Sequence, residues 1–154
     1  MYCPGSAIAF GYKFNSTNTR DCDMIEIFLC DESDIEEMST LWFNMIRECE
    51  PTSSPSKELW INHIEAYMKH PDFAMYVAYD GDNVCGYITG MLFSDPAFSR
   101  IVALGLEFYV YPSYRDGSVA LRLYHTLVTE GRKRGAKEIR LICYNKTLPL
   151  WESK

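Results

Sequence analysis

No apolar run in the chain approaches the roughly 20 residues that a membrane-spanning helix needs. No hydrophobic core of signal-peptide length leads up to Lys13, Asn15 and Arg20. Neither a bilayer span nor a secretory leader is expected, and the predicted compartment is the cytoplasm. The six cysteines, Cys3, Cys22, Cys30, Cys49, Cys85 and Cys143, include no C-x-x-C pair, so neither a zinc ribbon nor a thioredoxin-type motif is signalled. Free buried thiols are expected over disulfides in that compartment. His63, His70 and His125 are too dispersed to suggest metal ligation, so no metal is expected. Neither G-x-G-x-x-G nor G-x-x-x-x-G-K-S/T occurs, which removes two common phosphate-binding loops.

Basic charge is also scarce. Fifteen Lys and Arg stand against 21 Asp and Glu, a net charge of −6, and this balance argues against a nucleic-acid partner. Six of the basic residues, Arg115, Arg122, Arg132, Lys133, Arg134 and Lys137, lie in one segment with two acids, Asp116 and Glu130. That asymmetry suits a small anionic cofactor at the basic segment and a cationic substrate elsewhere. Arg132, Lys133, Arg134 and Lys137 also complement the C-terminal end of a helix dipole, the simpler reading for those four.

With 154 residues and 47% hydrophobic content, the chain suits one domain with a real core. Residues 1–23 hold one apolar run, Ala7 to Phe14, and then a polar stretch of linker composition. From Met24 the reading is clearer. MIEIFLC alternates as a strand with Ile25, Ile27 and Leu29 on one face. Ser33 with Glu36 forms a capping box ahead of a helix carrying Ile35, Met38, Leu41, Trp42, Met45 and Ile46. Ser54 and Pro55 open a second helix with Leu59, Trp60, Ile64 and Tyr67 on its apolar side. FAMYVAYD and NVCGYITGMLF form a hairpin about Asp80 and Gly81, and Arg100 to Tyr111 is long enough for a central strand. After one more helix, Glu138 to Tyr144 supplies a fifth strand. The order β-α-α-β-β-β-α-β predicts an α/β protein with a mixed α+β sheet, an antiparallel meander and one crossover helix.

The segment Glu107 to Gly135 organises the rest. Its first residues are strand-like and closed by Pro112, and from Val119 the period changes: Val119, Leu123 and Leu127 recur every fourth residue with Ala120 and Gly131 beside them. Arg115, Asp116, Gly117 and Ser118 form the corner. Amides at a helix start have no intrahelical acceptor and sit at the positive end of the dipole, so this corner can hold an anion, phosphate above all.

This order and corner resemble the GNAT superfamily of acyl-CoA-dependent N-acetyltransferases over roughly Met24 to Lys154. The resemblance is carried by Tyr109, Val110, Pro112, Tyr114 and Arg115, with Arg134 and Gly135 following nineteen residues after the arginine. Family members read YVxPxYR and then a pyrophosphate loop of the form R/Q-x-x-G-x-G/A. Here Arg115, Asp116, Gly117, Ser118, Val119 and Ala120 occupy that loop, with Ser118 at the usual first glycine and Gly117 one place early, where a glycine still relieves the turn. The resemblance implies acetyl-CoA as co-substrate. Phe108, Tyr109 and Val110 would bond the pantetheine arm through their backbones, and amides from Gly117 to Ala120 would hold the pyrophosphate. Arg122 would reach a phosphate unless it is simply solvated. Asn145 would contact the cofactor unless it is an ordinary turn residue.

The implied chemistry is attack of a neutral amine on a thioester. A base must take the ammonium proton, and a backbone N–H must stabilise the oxyanion. Glu107 is the candidate base, because it lies on the strand that would deliver the acetyl carbonyl and burial would raise its pKa; the competing reading pairs it with a lysine or arginine on a neighbouring strand. The family's thiolate acid is a tyrosine near the chain end, where this sequence has Trp151, an indole that cannot serve. Tyr144 is the substitute candidate.

Family members continue into two further strands where this sequence stops at Lys154. The fifth strand is therefore expected to have an open edge, and residues 7–14 are expected to add a strand to this sheet, in their own subunit or by exchange within a homodimer. Trp42, Trp60 and Tyr67 either line an acceptor pocket or pack the core. Asp31, Glu32, Asp34, Glu36, Glu37, Glu48 and Glu50 make the early helices acidic, a feature that suits a polyamine, aminoglycoside or lysine amine. The expected activity is acetyl transfer to a small-molecule or peptide amine. The alternative is a lapsed GNAT domain that binds CoA or a protein partner.

Overall fold

The computed structural model describes residues 24–115 and 117–141. Eight principal elements follow in the expected order: β1 (Ile25–Leu29), α1 (Ile35–Cys49), α2 (Lys57–Met68), β2 (Phe73–Asp80), β3 (Asn83–Asp95), β4 (Arg100–Val110), α3 (Val119–Lys133) and β5 (Ala136–Leu141). The strands form one sheet in the order β1-β2-β3-β4-β5. Neighbours from β1 to β4 run antiparallel and β5 runs parallel to β4, as a strand returning through a crossover helix must. None of the described helices is long and apolar enough to cross a membrane.

The β2–β3 hairpin closes on Asp80 opposite Asn83, with Gly81 at φ +59 supplying the left-handed turn residue. The entry to α1 differs from the expected capping box. A short turn, Glu32–Asp34, precedes the helix, and the box is built by Asp31: its carboxylate accepts from the Ser33 amide at 2.7 Å, while Asp34 accepts from the Asp31 amide at 3.0 Å. The Ser33 hydroxyl is drawn to the same carboxylate, so an ionised side chain takes the capping role that Ser33 was expected to fill. α2 likewise begins later than Ser54 and Pro55, capped by Ser56, which accepts from the Leu59 amide at 3.3 Å.

The helices cover the sheet on both faces. α1 and α2 pack Met38, Leu41, Met45, Trp60 and Ile64 against Met75, Val77, Tyr87 and Tyr109. α3 packs Val119, Ala120, Leu123 and Leu127 against Ala78, Cys85, Ile88, Phe108 and Val110. Leu59 is 71% exposed, because α2 meets the sheet through Trp60 and Ile64, one turn apart, and its neighbour is rotated outward. Leu29, expected inside with Ile25, is 63% exposed at the end of the outermost strand. Cys30 and Cys85 are buried free thiols and Cys49 is a partly buried one. Gly135 at φ +91 ends α3 as a left-handed cap, its amide donating to the Arg132 carbonyl at 3.0 Å.

Candidate active site

The position of Glu107 depends on an irregularity in β4. Thr89 pairs with Glu107 and Gly90 pairs with Gly105, so Leu106 is an extra residue in the ladder. In a regular strand Gly105 and Glu107 would share a face. A Cβ on Gly105 would meet Leu127 at 3.3 Å, toward α3, whereas the Glu107 side chain reaches the α1–α2 side. The Glu107 amide donates to Thr89 Oγ1 at 3.0 Å, so the bulge leaves it satisfied.

Two uncharged donors hold the Glu107 carboxylate. Trp60 Nε1 donates to Oε1 at 3.2 Å and the Tyr87 hydroxyl donates to Oε2 at 3.1 Å. The neighbouring-strand cation of the competing reading is not among these contacts. Burial raises the Glu107 pKa above its ordinary value, and the bonds from Trp60 and Tyr87 partly counter that rise. Tyr87 has no exposed surface, and burial together with the adjacent carboxylate pushes its phenol well above the usual range, so it remains a donor. Trp60 stacks on Trp42 with centroids 5.6 Å apart and meets Tyr87 edge-on at 6.5 Å.

Arg115 enters the corner with its guanidinium engaged. Both terminal nitrogens bond the Glu48 carboxylate on α1, one at 2.7 Å, Nε donates to the Val110 carbonyl at 2.9 Å, and the group lies over the Tyr109 ring at 5.4 Å. Arg115 therefore ties α1 to the corner, and its pull holds the Glu48 carboxyl below the usual range. Tyr109 contributes to the same arrangement, its phenol raised by burial and by Glu48. Tyr114 closes the turn from the other face, donating to Asp80 Oδ2 at 3.0 Å.

Gly117 adopts no left-handed backbone, and a Cβ there would meet only the Tyr114 carbonyl at ordinary distance, 3.5 Å. The expectation that this glycine relieves the turn is thus not realised. Its amide donates to that same carbonyl at 3.3 Å. Ser118 precedes α3 without capping it through its side chain, and its carbonyl accepts the first helical bond, from Arg122, at 2.9 Å. The amides of Val119 and Ala120 accordingly have no intrahelical acceptor. Arg122 is half-buried one turn into α3. Among the described residues, pairing of β4 with β5 ends at Gly105 opposite Leu141, and Phe108, Tyr109 and Val110 lie beyond it.

The structure thus brings Glu107, Phe108, Tyr109, Val110 and Arg115 together with the start of α3. Asp116, Tyr144, Asn145, Trp151 and residues 7–14 lie outside the described residues. Sequence reasoning missed the partners: Tyr87 received no role, Glu48 was read only as one of the acids suited to a cationic acceptor, and Trp60 was weighed only as pocket wall or core. Alternation along β3 was the available signal for Tyr87, whereas nothing local connects Glu48 with Arg115.

A family model described as the acetyltransferase (GNAT) family matches residues 39–152. No curated protein matches the chain in sequence. Among solved structures, an aminoglycoside acetyltransferase from an uncultured soil metagenomic sample, in complex with sisomicin, is 16% identical and superposes with a TM-score of 0.65 over 84% of each chain. A predicted acetyltransferase with acetyl-CoA from Clostridium acetobutylicum is 13% identical, TM-score 0.69, covering 84% of this chain and 87% of its own. A ribosomal-protein-alanine N-acetyltransferase from Brucella melitensis biovar Abortus 2308 is 15% identical, TM-score 0.63, covering 76% and 78% respectively. At these identities the likeness is one of fold.

Proposed function

Because the chain belongs to the GNAT acetyltransferase family, we propose that it transfers an acetyl group from acetyl-CoA to the primary amine of a cationic acceptor, with Glu107 as general base. The observation that carries this reading is the β4 carboxylate of Glu107, raised in pKa by burial and held by Trp60 of α2 and Tyr87 of β3. Acetyl-CoA supplies the activated acetyl thioester when bound. The residues fit such a group at the start of α3, where the first helical bond runs from Arg122 to the Ser118 carbonyl and the amides of Val119 and Ala120 lack intrahelical acceptors. Backbone groups of Phe108 to Val110 would hold the pantetheine arm. Amides of Ser118 to Ala120 would hold the pyrophosphate, with Arg115 shaping the corner and Arg122 and Asn145 beside it.

Within this scheme Glu107 accepts a proton from the acceptor ammonium and so creates the neutral nucleophile. An elevated pKa makes the ionised carboxylate a stronger base. Tyr144 is the proposed proton source for the departing thiolate. The exposed acidic side chains Glu36, Glu37 and Glu50 on and beside α1 support a cationic acceptor, as does the sisomicin complex of one fold neighbour. Residues 7–14 complete the proposal as an added or exchanged strand of a dimer; unchanged oligomeric state and stability after deletion of residues 1–23 would refute that part.

The rival reading, a domain that binds CoA without turnover, is favoured by Trp151 standing where the family has its acidic tyrosine. Titration with acetyl-CoA followed by thiol release against a panel of amines separates the two. Binding with release supports transfer, binding without release supports the rival, and absence of binding defeats both.

A further inference from the structure

We propose that Trp60 and Tyr87 are positioning residues for Glu107: an indole N–H from α2 and a phenol O–H from β3 grip one carboxylate oxygen each and fix its orientation toward the acceptor amine. The inference rests on the reading of Glu107 as proton acceptor. Three separate elements meet at this carboxylate, and each contact is locked by its surroundings. Trp60 is 4% exposed, stacked on Trp42 and edge-on to Tyr87, and Tyr87 is fully buried. Thr89 Oγ1 fixes the Glu107 amide at the bulge, so backbone and side chain are both held.

The two donors are also chemically suited to flank a base. A carboxylate has about four lone-pair sites, and the grip uses one on each oxygen, which leaves the others for an ammonium proton. An indole N–H does not ionise, and the Tyr87 phenol is raised further from ionisation by burial. Both donors therefore stay donors throughout the working pH range and never compete for the proton. Besides Glu107, Tyr109 on β4 and Cys49 on α1 act on Tyr87, Glu48 and Arg115 pair with each other beside Tyr109, and Cys30, Tyr67, Tyr79 and Tyr111 pack into the same core. Trp60 gives α2 a direct bond to the base, so a shift of that helix would re-aim the carboxylate.

Side-chain carboxyl NMR on glutamate-labelled protein tests the grip without requiring turnover, with Glu107→Gln identifying the resonance. In Tyr87→Phe, and again in Trp60→Phe, the Glu107 titration midpoint should move upward, because each lost bond favoured the ionised form. In the same variants kcat for an accepted amine should fall on the order of tenfold, the acidic limb of the pH profile should move upward with the NMR midpoint, and KM for acetyl-CoA should stay unchanged. Tyr87→Phe preserves the ring packing, so an unaltered midpoint and pH profile in that variant overturns the proposal. Upward NMR shifts with no turnover of any amine by the wild-type protein would uphold the grip and overturn acetyl transfer.

Discussion

Gly105 and Glu107 stand two residues apart on one strand yet face opposite sides of the sheet, because Leu106 bulges between them. A Cβ on Gly105 would meet Leu127 of α3, whereas Glu107 reaches Trp60 of α2. One extra residue thus moves a carboxylate from the crossover-helix face to the face where α1 and α2 bring the aromatic rings of Trp42 and Trp60.

Replacing Glu107 with Gln should lower kcat by about 10²–10⁴-fold, the usual share of a general base, with little change in acetyl-CoA binding. The acidic limb of the pH profile should disappear in this variant. Steady-state kinetics across pH, paired with calorimetric titration of acetyl-CoA, checks both parts.

The same substitution carries a stability signature. Burial raises the folded-state pKa of Glu107 above its unfolded value, so the folded protein holds this proton more tightly than the unfolded chain. Ionisation therefore costs stability as pH rises from the ordinary glutamate value through the raised folded value, and the loss persists above that window. Glu107→Gln should be more resistant to urea than the wild type at pH 8, and the advantage should vanish below about pH 4. An advantage confined to acidic pH would show the opposite sign.

Two glycine substitutions on β3 should differ in cost. A Cβ at Gly86 would lie 2.8 Å from the backbone carbonyl oxygen of Tyr109, which cannot swing aside, and Gly86→Ala should destabilise by about 1–3 kcal/mol. At Gly90 the nearest obstacle is the end of the Leu127 side chain at 2.4 Å, which can take another rotamer, so Gly90→Ala should cost less. Chemical denaturation of both variants ranks them directly.

Leu123 has no exposed surface and joins α3 to the sheet. Leu123→Ala should lose about 2–5 kcal/mol of folding stability. Because α3 carries the proposed pyrophosphate amides at its start, acetyl-CoA should restore part of the lost thermal stability through linkage.

Much of the fold was legible in the sequence, for reasons specific to its elements. The four-residue recurrence of Val119, Leu123 and Leu127 marked α3 because one face of that helix is buried along its length. Asp80 and Gly81 marked the hairpin because a two-residue turn demands a left-handed residue. Helix starts were less legible, since Asp31 and Ser56 displaced Ser33 and Ser54 as caps, and several polar residues near each start can do the same work. At the site, Glu107 could be singled out from its strand, but the Leu106 bulge could not, because register is a property of two strands at once. The pairing of Glu48 with Arg115 spans α1 and the corner and left no local signal.

The most direct measurement is acetyl-CoA-dependent release of free thiol in the presence of cationic amines, comparing the wild-type protein with Glu107→Gln. The account predicts amine-dependent release by the wild type, rising with pH through the Glu107 titration and reduced at least a hundredfold in the variant. Equal release by both proteins, or none from a wild-type protein that binds acetyl-CoA, would contradict it.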